Sequence, residues 1–340
     1  MGVFELEGSV KRFGLVLLAL VTVAASAQSS WTVKPEWVKA HEEFLSSDAM
    51  HGRGSATHDE EVTAAYVASE FEGYGLKMAP GMTSYIQSAD VDTYVTPQGR
   101  TRLKLVDAPT KTSHKTFNAI GYLEGSDPAS GTILLTAHLD HLGTRGDNSD
   151  VIYHGANDDA SGTTAVLELA HALANAPKLK RSVLFVCYGS EELGDLGSTY
   201  FGKHSPVPLK DLVANVEFEM IGNQDPKMPD GVLLFTGWER SNLGPTLKEH
   251  GALLGPDPYP EQHYFERSDN YALALEGVVA HTAAGWGDPP TYHRPNDDLA
   301  HLNLPFMTAA IQSLVVPMEW LANSDFKPTW NPGGQPKNRD

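Results

Sequence analysis

The chain has 340 residues, 25 of them basic against 43 acidic, for a formal net charge of −18. That balance disfavours nucleic acid and anionic membrane as partners. Cys187 is the only cysteine and cannot pair within the chain, so stability must come from the core and from bound groups.

Lys11-Arg12 precedes the apolar run Phe13 to Ala25, and Ala25-Ser26-Ala27 suits signal cleavage. Residues 1–27 therefore read as a secretory signal, with the product exported to the periplasm or beyond. The run is shorter than the ~20 residues a spanning helix needs, so no stable membrane anchor is expected. Residues 36–45 place Trp37, Ala40 and Phe44 at helical spacing. Thr57-His-Asp-Glu60 is a capping box opening a second helix, with Val62, Ala65 and Tyr66 on one side. Residues 84–95, 102–106 and 117–123 read as strands separated by turns, an antiparallel start to a sheet. From Thr132 onward, strands and helices alternate. This predicts an α/β fold with a mixed, mostly parallel central sheet and helices on both faces. Residues 28–326 read as one catalytic domain and 327–340 as a mobile tail.

The densest chemistry is Gly155-Ala-Asn-Asp158-Asp159-Ala-Ser-Gly162, paired carboxylates in a glycine-bounded turn ahead of a helix carrying Val166, Leu169, Ala170 and Leu173. Two acids placed there need a cation, which makes Asp158 the hub of a candidate metal site. Ligand-type residues also follow other strand runs. Residues 132–137 lead to His138-Leu-Asp140-His141, 182–188 to Glu191-Glu192, 212–216 onward to Glu219, and 277–280 through a loop to Tyr292-His293. In open α/β sheets, sites form at the carboxyl ends of strands. Asp140, two residues past His138 in an extended segment, is expected to accept the free imidazole N–H and fix its tautomer. His141 and His154 compete with His138 but read as exposed loop histidines, and Glu217 reads as an exposed edge charge. Asp297-Asp298 are candidate orienters of the His293 ring. Cys187 reads as a small buried hydrophobe.

Five motifs occur in order: His138-Leu-Asp140, Asn157-Asp158-Asp159-Ala-Ser-Gly162, Ser190-Glu191-Glu192-Leu-Gly194, Asn215-Val-Glu-Phe-Glu219-Met-Ile-Gly222 and Tyr292-His293-Arg-Pro-Asn-Asp297. From about Leu45 to Ala322 the chain resembles the M28 family of zinc metallopeptidases, which includes bacterial secreted aminopeptidases and glutamate carboxypeptidases. The resemblance implies a zinc-dependent exopeptidase fold, a peptide substrate and two zinc ions per chain. It implies that Asp158 bridges the ions, that His138 and Glu219 complete one, and that Glu192 and His293 complete the other. Glu191 is then the general base for a metal-bridging hydroxide. It also implies a cis peptide between Asp158 and Asp159. Glu219 departs from the commoner pattern, which has Asp there. The Tyr264-Phe265 and Ser268-Asp269 segment resembles the stretch beside the metals, assigning Tyr264 and Phe265 to a substrate pocket and Asp269 to support; Trp286, in a loop whose composition suits a site wall, and Tyr292 are further candidates for that pocket. Tyr292 is also a candidate oxyanion donor.

The reading is an exported di-zinc exopeptidase, an aminopeptidase first. A carboxypeptidase would need a basic clamp, for which Arg267 and Arg294 are the arginines beside site motifs. A glutaminyl cyclase with one zinc would not need the intact His138-Leu-Asp140 pair. A non-catalytic binding protein would be expected to lose the base or the ligands.

Overall fold

The computed structural model describes residues 1–2, 31–146 and 151–337. The expected signal segment thus lies, beyond its first two residues, outside the described residues. In chain order the strands are β1 (Ile86–Val95), β2 (Thr101–Leu105), β3 (His114–Leu123), β4 (Thr132–His138), β5 (Thr144–Arg145), β6 (Val151–Ile152), β7 (Ser182–Tyr188), β8 (Leu212–Glu219), β9 (Leu233–Phe235), β10 (Leu254–Pro256) and β11 (Ala280–Ala284). The helices are α1 (Pro35–Leu45), α2 (His58–Gly73), α3 (Ser161–Ala174), α4 (Leu196–His204), α5 (Leu243–Glu249), α6 (Asn270–Leu275) and α7 (Leu304–Asn323).

Nine strands form one mixed sheet in the order β10-β9-β11-β8-β4-β7-β3-β1-β2, and β5 pairs with β6 alone. The central run β11-β8-β4-β7 is parallel, while β3, β1 and β2 continue it antiparallel. Every residue of β4 and β7 is buried. Both faces are covered, which is why these strands read as continuous apolar runs. The pleat sorts them by period two. Ile133, Leu135, Val183, Phe185 and Cys187 enter a core with Val38 of α1, Phe71 of α2, most of α3, Leu243 of α5 and Ile311 of α7. Leu134, Leu184, Val186 and Tyr188 face the opposite way, toward Phe201 of α4 and Leu273 of α6. Truncating a ring such as Phe185 to Ala would cost about 3–5 kcal/mol.

The helix faces expected for α1 and α2 need correction. The buried stripe of α1 is Val38, His41, Glu42 and Leu45, with Phe44 38% exposed. That of α2 is Glu60, Thr63, Ala64, Val67, Ala68 and Phe71. Both stripes carry polar residues that bond inward, so counting apolar spacing points to the wrong side. The capping box is half formed: Thr57 Oγ1 accepts Asp59 N–H at 3.2 Å, but the Glu60 carboxylate turns away to Ala56 N–H. Residues 327–337 run along the body, with Trp330 bridging Ser241 and Asn331 N–H donating to Arg240 O at 2.7 Å.

Candidate metal centre

Three parallel strands, β4, β7 and β8, end at one edge, and each is followed by a turn held by a buried carboxylate. Asp159 accepts His138 N–H at 3.3 Å, Gly162 N–H at 3.0 Å and Met220 N–H at 2.9 Å, joining the ends of β4 and β8 to the start of α3. Asp297 accepts the N–H groups of Asn157 and Asp158, each at 3.0 Å. The Asp158–Asp159 peptide is cis. Gly155 begins that turn at φ 59°, and a Cβ there would lie 2.4 Å from the His141 ring, so only glycine fits. Ser190, Met220 and His293 also hold left-handed backbone, at φ 54°, 51° and 54°. Each stands at or beside a candidate ligand or the candidate base, a conformation non-glycine residues keep only where the surroundings enforce it.

These turns bring His138, Asp158, Glu191, Glu192, Glu219 and His293 together. His138 Nε2 lies 3.2 Å from Asp158 Oδ1 and 4.0 Å from Glu191 Oε2. His293 Nε2 lies 3.2 Å from both Asp158 Oδ2 and Glu192 Oε2. Two sets of donor atoms, His138/Asp158/Glu219 and His141/Asp158/Glu192, each lie within 4.8 Å of one another and share Asp158. His138 Nε2, Asp158 Oδ2 and Glu192 Oε1 are buried without a well-aligned hydrogen bond and face only one another and the neighbouring imidazoles. Leaving such groups orphaned is costly, and imidazole nitrogens with carboxylate oxygens are the donors zinc takes. The chemistry of this donor set therefore fits zinc.

The electrostatics follow from burial and crowding. Burial would drive His138 neutral, but Glu191, Asp140 and Asp158 outweigh it and raise its pKa well above the ordinary value. Burial opposes ionisation of Asp158 as well, yet His141, His138 and His293 hold it well below the usual range. Glu192 is pushed down to about 2 by His141 and His293 against burial and Asp158. Burial, reinforced by Asp195, Glu192 and Glu219, lifts Glu191 well above the usual range against His138, and burial lifts Glu219 to about 7.

Asp140 does not use its carboxylate on the imidazole. His138 Nδ1 faces the Asp140 main-chain oxygen at 3.1 Å and the carboxylate at 3.7 Å. The carboxylate instead accepts Glu191 N–H at 3.0 Å and the Ser55 hydroxyl. Asp269 is buried beside Glu217, Asp195 and Ser198. Tyr264 and Tyr292 line a narrow cleft that opens on Glu219, with Met220, Leu234 and Arg267. Tyr292 stacks on His293 with ring centroids 3.9 Å apart. Phe265 is a correction: it packs against Arg240, His281 and Trp330 in the core. Tyr264 and Phe265 sit in a 3₁₀ turn, where successive side chains diverge. Gly287, and not Trp286, lines that cleft.

Four other expectations change. His141 is fully buried, its Nδ1 2.7 Å from Glu192 Oε1 and 3.8 Å from Asp158 Oδ2, because the chain turns inward after Asp140 to pair with Gly54. Glu217 is fully buried and accepts from Ser268 Oγ, Asn270 N and Thr282 Oγ1. Asp297 serves the Asp158 turn, and Asp298 bonds Ala300 N–H and His301, so neither orients His293. Residues 45–53, for which no role at the site was expected, contribute directly. Buried Arg53 donates to the carbonyls of Leu45, Leu139, His154 and Gly155 at 2.7–3.0 Å, clamping the ends of the His138 and Asp158 segments. Its polar sequence neighbours carry no signal of that role. His154 lies outside the cluster, bonded to Asp48 and Pro295 O.

The profile of Peptidase family M28 matches residues 118–316, more than half of the chain. The chain belongs to peptidase family M28. Over 217 residues it is 28% identical to the aminopeptidase YwaD of Bacillus subtilis strain 168, covering 62% of this chain and 45% of that protein. The chain thus spans between about two-fifths and three-fifths of the length of the curated relatives it matches first. An aminopeptidase structure from Aneurinibacillus sp. strain AM-1 superposes with a TM-score of 0.62 at 17% identity, covering 86% of this chain and 94% of that one. A Bacteroides thetaiotaomicron glutaminyl cyclase structure superposes with a TM-score of 0.60 at 17% identity, over 85% and 98%. At such identities the M28 likeness to solved structures speaks for the fold.

Proposed function

We propose that this M28 chain is an exported di-zinc aminopeptidase, with residues 28–326 as one catalytic domain. The observation that carries the reading is the pair of donor sets meeting at Asp158, which a one-metal cyclase would not need. His138 and Glu219 would hold one zinc, Glu192 and His293 the other, with His141 against Glu192. Bound zinc polarises a carbonyl and makes water acidic enough to attack near neutral pH. Glu191 takes the proton of the attacking water and returns it to the departing amine. Asp140 fixes its main chain by accepting Glu191 N–H at 3.0 Å. Tyr292, crowded by Asp158, Glu219, Glu192 and Glu191, donates to the oxygen that gains charge. The Tyr264 cleft takes the first side chain, and the surrounding carboxylates meet the substrate ammonium.

The test is hydrolysis of matched peptides with blocked amino or blocked carboxyl ends, by zinc-loaded wild type and Glu191→Gln. We expect cleavage to vanish when the amino end is blocked and in the variant. Loss only with a blocked carboxyl end would favour a carboxypeptidase, and cyclisation of an amino-terminal glutamine without hydrolysis would favour a cyclase.

A further inference from the structure

A second cleft, of about 670 Å³, opens on Glu192 and His293 and is lined by Arg100, Arg102 and Arg145 with Thr101, Leu142 and Leu193. Its size is that of a small-ligand site. Arg100 and Arg102 come from the β1–β2 hairpin, which is docked on the loop carrying the site glutamates. Leu103 N–H donates to Leu193 O at 3.4 Å, and Leu103 packs with Val91, Leu196 and Ala56. Among the described residues the arginine ion pairs are those of Arg240 and Arg267; Arg100 and Arg102 make none within 4 Å, and the Arg102 charge also reaches Asp195. Arg145 rests over the Tyr153 ring at 5.1 Å. A basic wall beside an acidic centre, on a chain of net charge −18, presents two opposite signs to one bound molecule. A short peptide has that pattern, its ammonium and its carboxylate about two residues, roughly 7 Å, apart when extended.

We infer that this cleft binds a carboxylate on the leaving side of the scissile bond, so that the preferred substrates are short peptides carrying one within a residue of that bond. The carboxylate is either the free end of a dipeptide or an acidic side chain, and the inference rests on the aminopeptidase reading. Guanidinium groups suit it because they bind carboxylates in bidentate fashion.

The experiment compares kcat/KM of the zinc-loaded full chain on Leu-Ala against Leu-Ala-amide, and on Leu-Glu-amide against Leu-Gln-amide. We expect at least one pair to favour the carboxylate by about threefold to fivefold, in line with charge pairs among arginines that are exposed or partly exposed. Preference in the first pair assigns the chain end, and in the second the side chain. Arg100→Gln/Arg102→Gln should bring the ratio toward one. Arg102→Glu should turn the preference toward Leu-Lys-amide, a gain that misfolding cannot mimic. Ratios near one in both pairs for wild type, or a ratio untouched by the double substitution, would overturn the inference with the aminopeptidase reading intact. Cleavage of acetyl-Leu-Ala as fast as Leu-Ala would overturn that reading instead.

Discussion

Glu60 offers the most demanding check, because it lies in α2, touches no candidate ligand side chain and is fully buried. Its carboxylate accepts five hydrogen bonds. Oε1 takes Thr116 Oγ1 and Phe117 N–H, and Oε2 takes Ala56 N–H, Ser190 N–H and Ser190 Oγ. Two of the five come from Ser190, whose left-handed backbone aims Glu191 and Glu192. Gly189 leaves the room, since a Cβ there would lie 2.6 Å from Glu60 Oε1. In Glu60→Gln the amide nitrogen does least harm at the Oε1 position, where Thr116 can turn to accept and the Phe117 N–H is left facing a donor. One orphaned buried donor costs about 1–3 kcal/mol, and burial and Asp140, which together raise the Glu60 pKa to about 8, limit the charge assistance the remaining bonds lose. We therefore expect about 3 kcal/mol of destabilisation for Gln and about 5 for Ala, read from urea midpoints at constant m-value. The same variants, assayed at saturating zinc where still folded, should lose kcat with little change in KM, because the loss is in the aim of Glu191. A Gln variant within about 0.5 kcal/mol of wild type, with unaltered kcat, would refute the view that this carboxylate holds the Ser190 turn.

Tyr292→Phe should lower kcat on the order of 10²-fold with KM nearly unchanged if the hydroxyl donates to the developing oxyanion; unchanged turnover would remove it from that role. Zinc removal by a chelator should lower Tm, and readdition at about 1,000 times Kd should restore about 4 kcal/mol per site, with two zinc per chain by elemental analysis. Burial holds the His281 imidazole down to about 4, with Nδ1–H donating to Thr236 O at 2.8 Å and Ser241 Oγ 2.7 Å from Nε2. The folded chain then binds fewer protons than the unfolded chain between about pH 4 and 6.5, so stability present at pH 7 is lost as pH falls through that window. The loss is up to about 3 kcal/mol, and His281→Gln should flatten it in denaturant titrations at several pH values.

The sheet and the donor set were readable because each has a local cause. A strand buried on both faces is mostly apolar, so β4 and β7 announced themselves, β8 less plainly because buried Asn215 and Glu217 interrupt it, and the residues just past them fell at one edge. The buried sides of α1 and α2 were not readable, since Glu42 and Glu60 are acids whose burial depends on partners far along the chain, Thr164 for one and Ser190 for the other. His141 is hidden in the same way, its burial depending on a bridge to Gly54. The arginine cleft escaped because Arg100 and Arg102 reach the centre only through the antiparallel hairpin, 90 residues before Glu192.

The acidity of the chain has a partly structural meaning. Glu60, Asp140, Asp159 and Asp297 are buried carboxylates that point away from solvent and accept main-chain N–H groups. Each holds a turn that presents a candidate ligand or the base: Ser190 ahead of Glu191, Glu191 itself, His138 and Asp158. Charge-assisted bonds from N–H groups are short and directional, so a carboxylate fixes a turn more firmly than an amide would. The cost of burying so many carboxylates falls on a site whose three imidazoles would help to hold zinc, the cation that offsets them. The turns can thus be set before metal arrives, and metal binding relieves the repulsion among acids already in place. On this view the holding carboxylates and the ligands stabilise one another only when both are present. A variant such as Glu60→Gln should therefore cost more stability in zinc-loaded protein than in the metal-free chain.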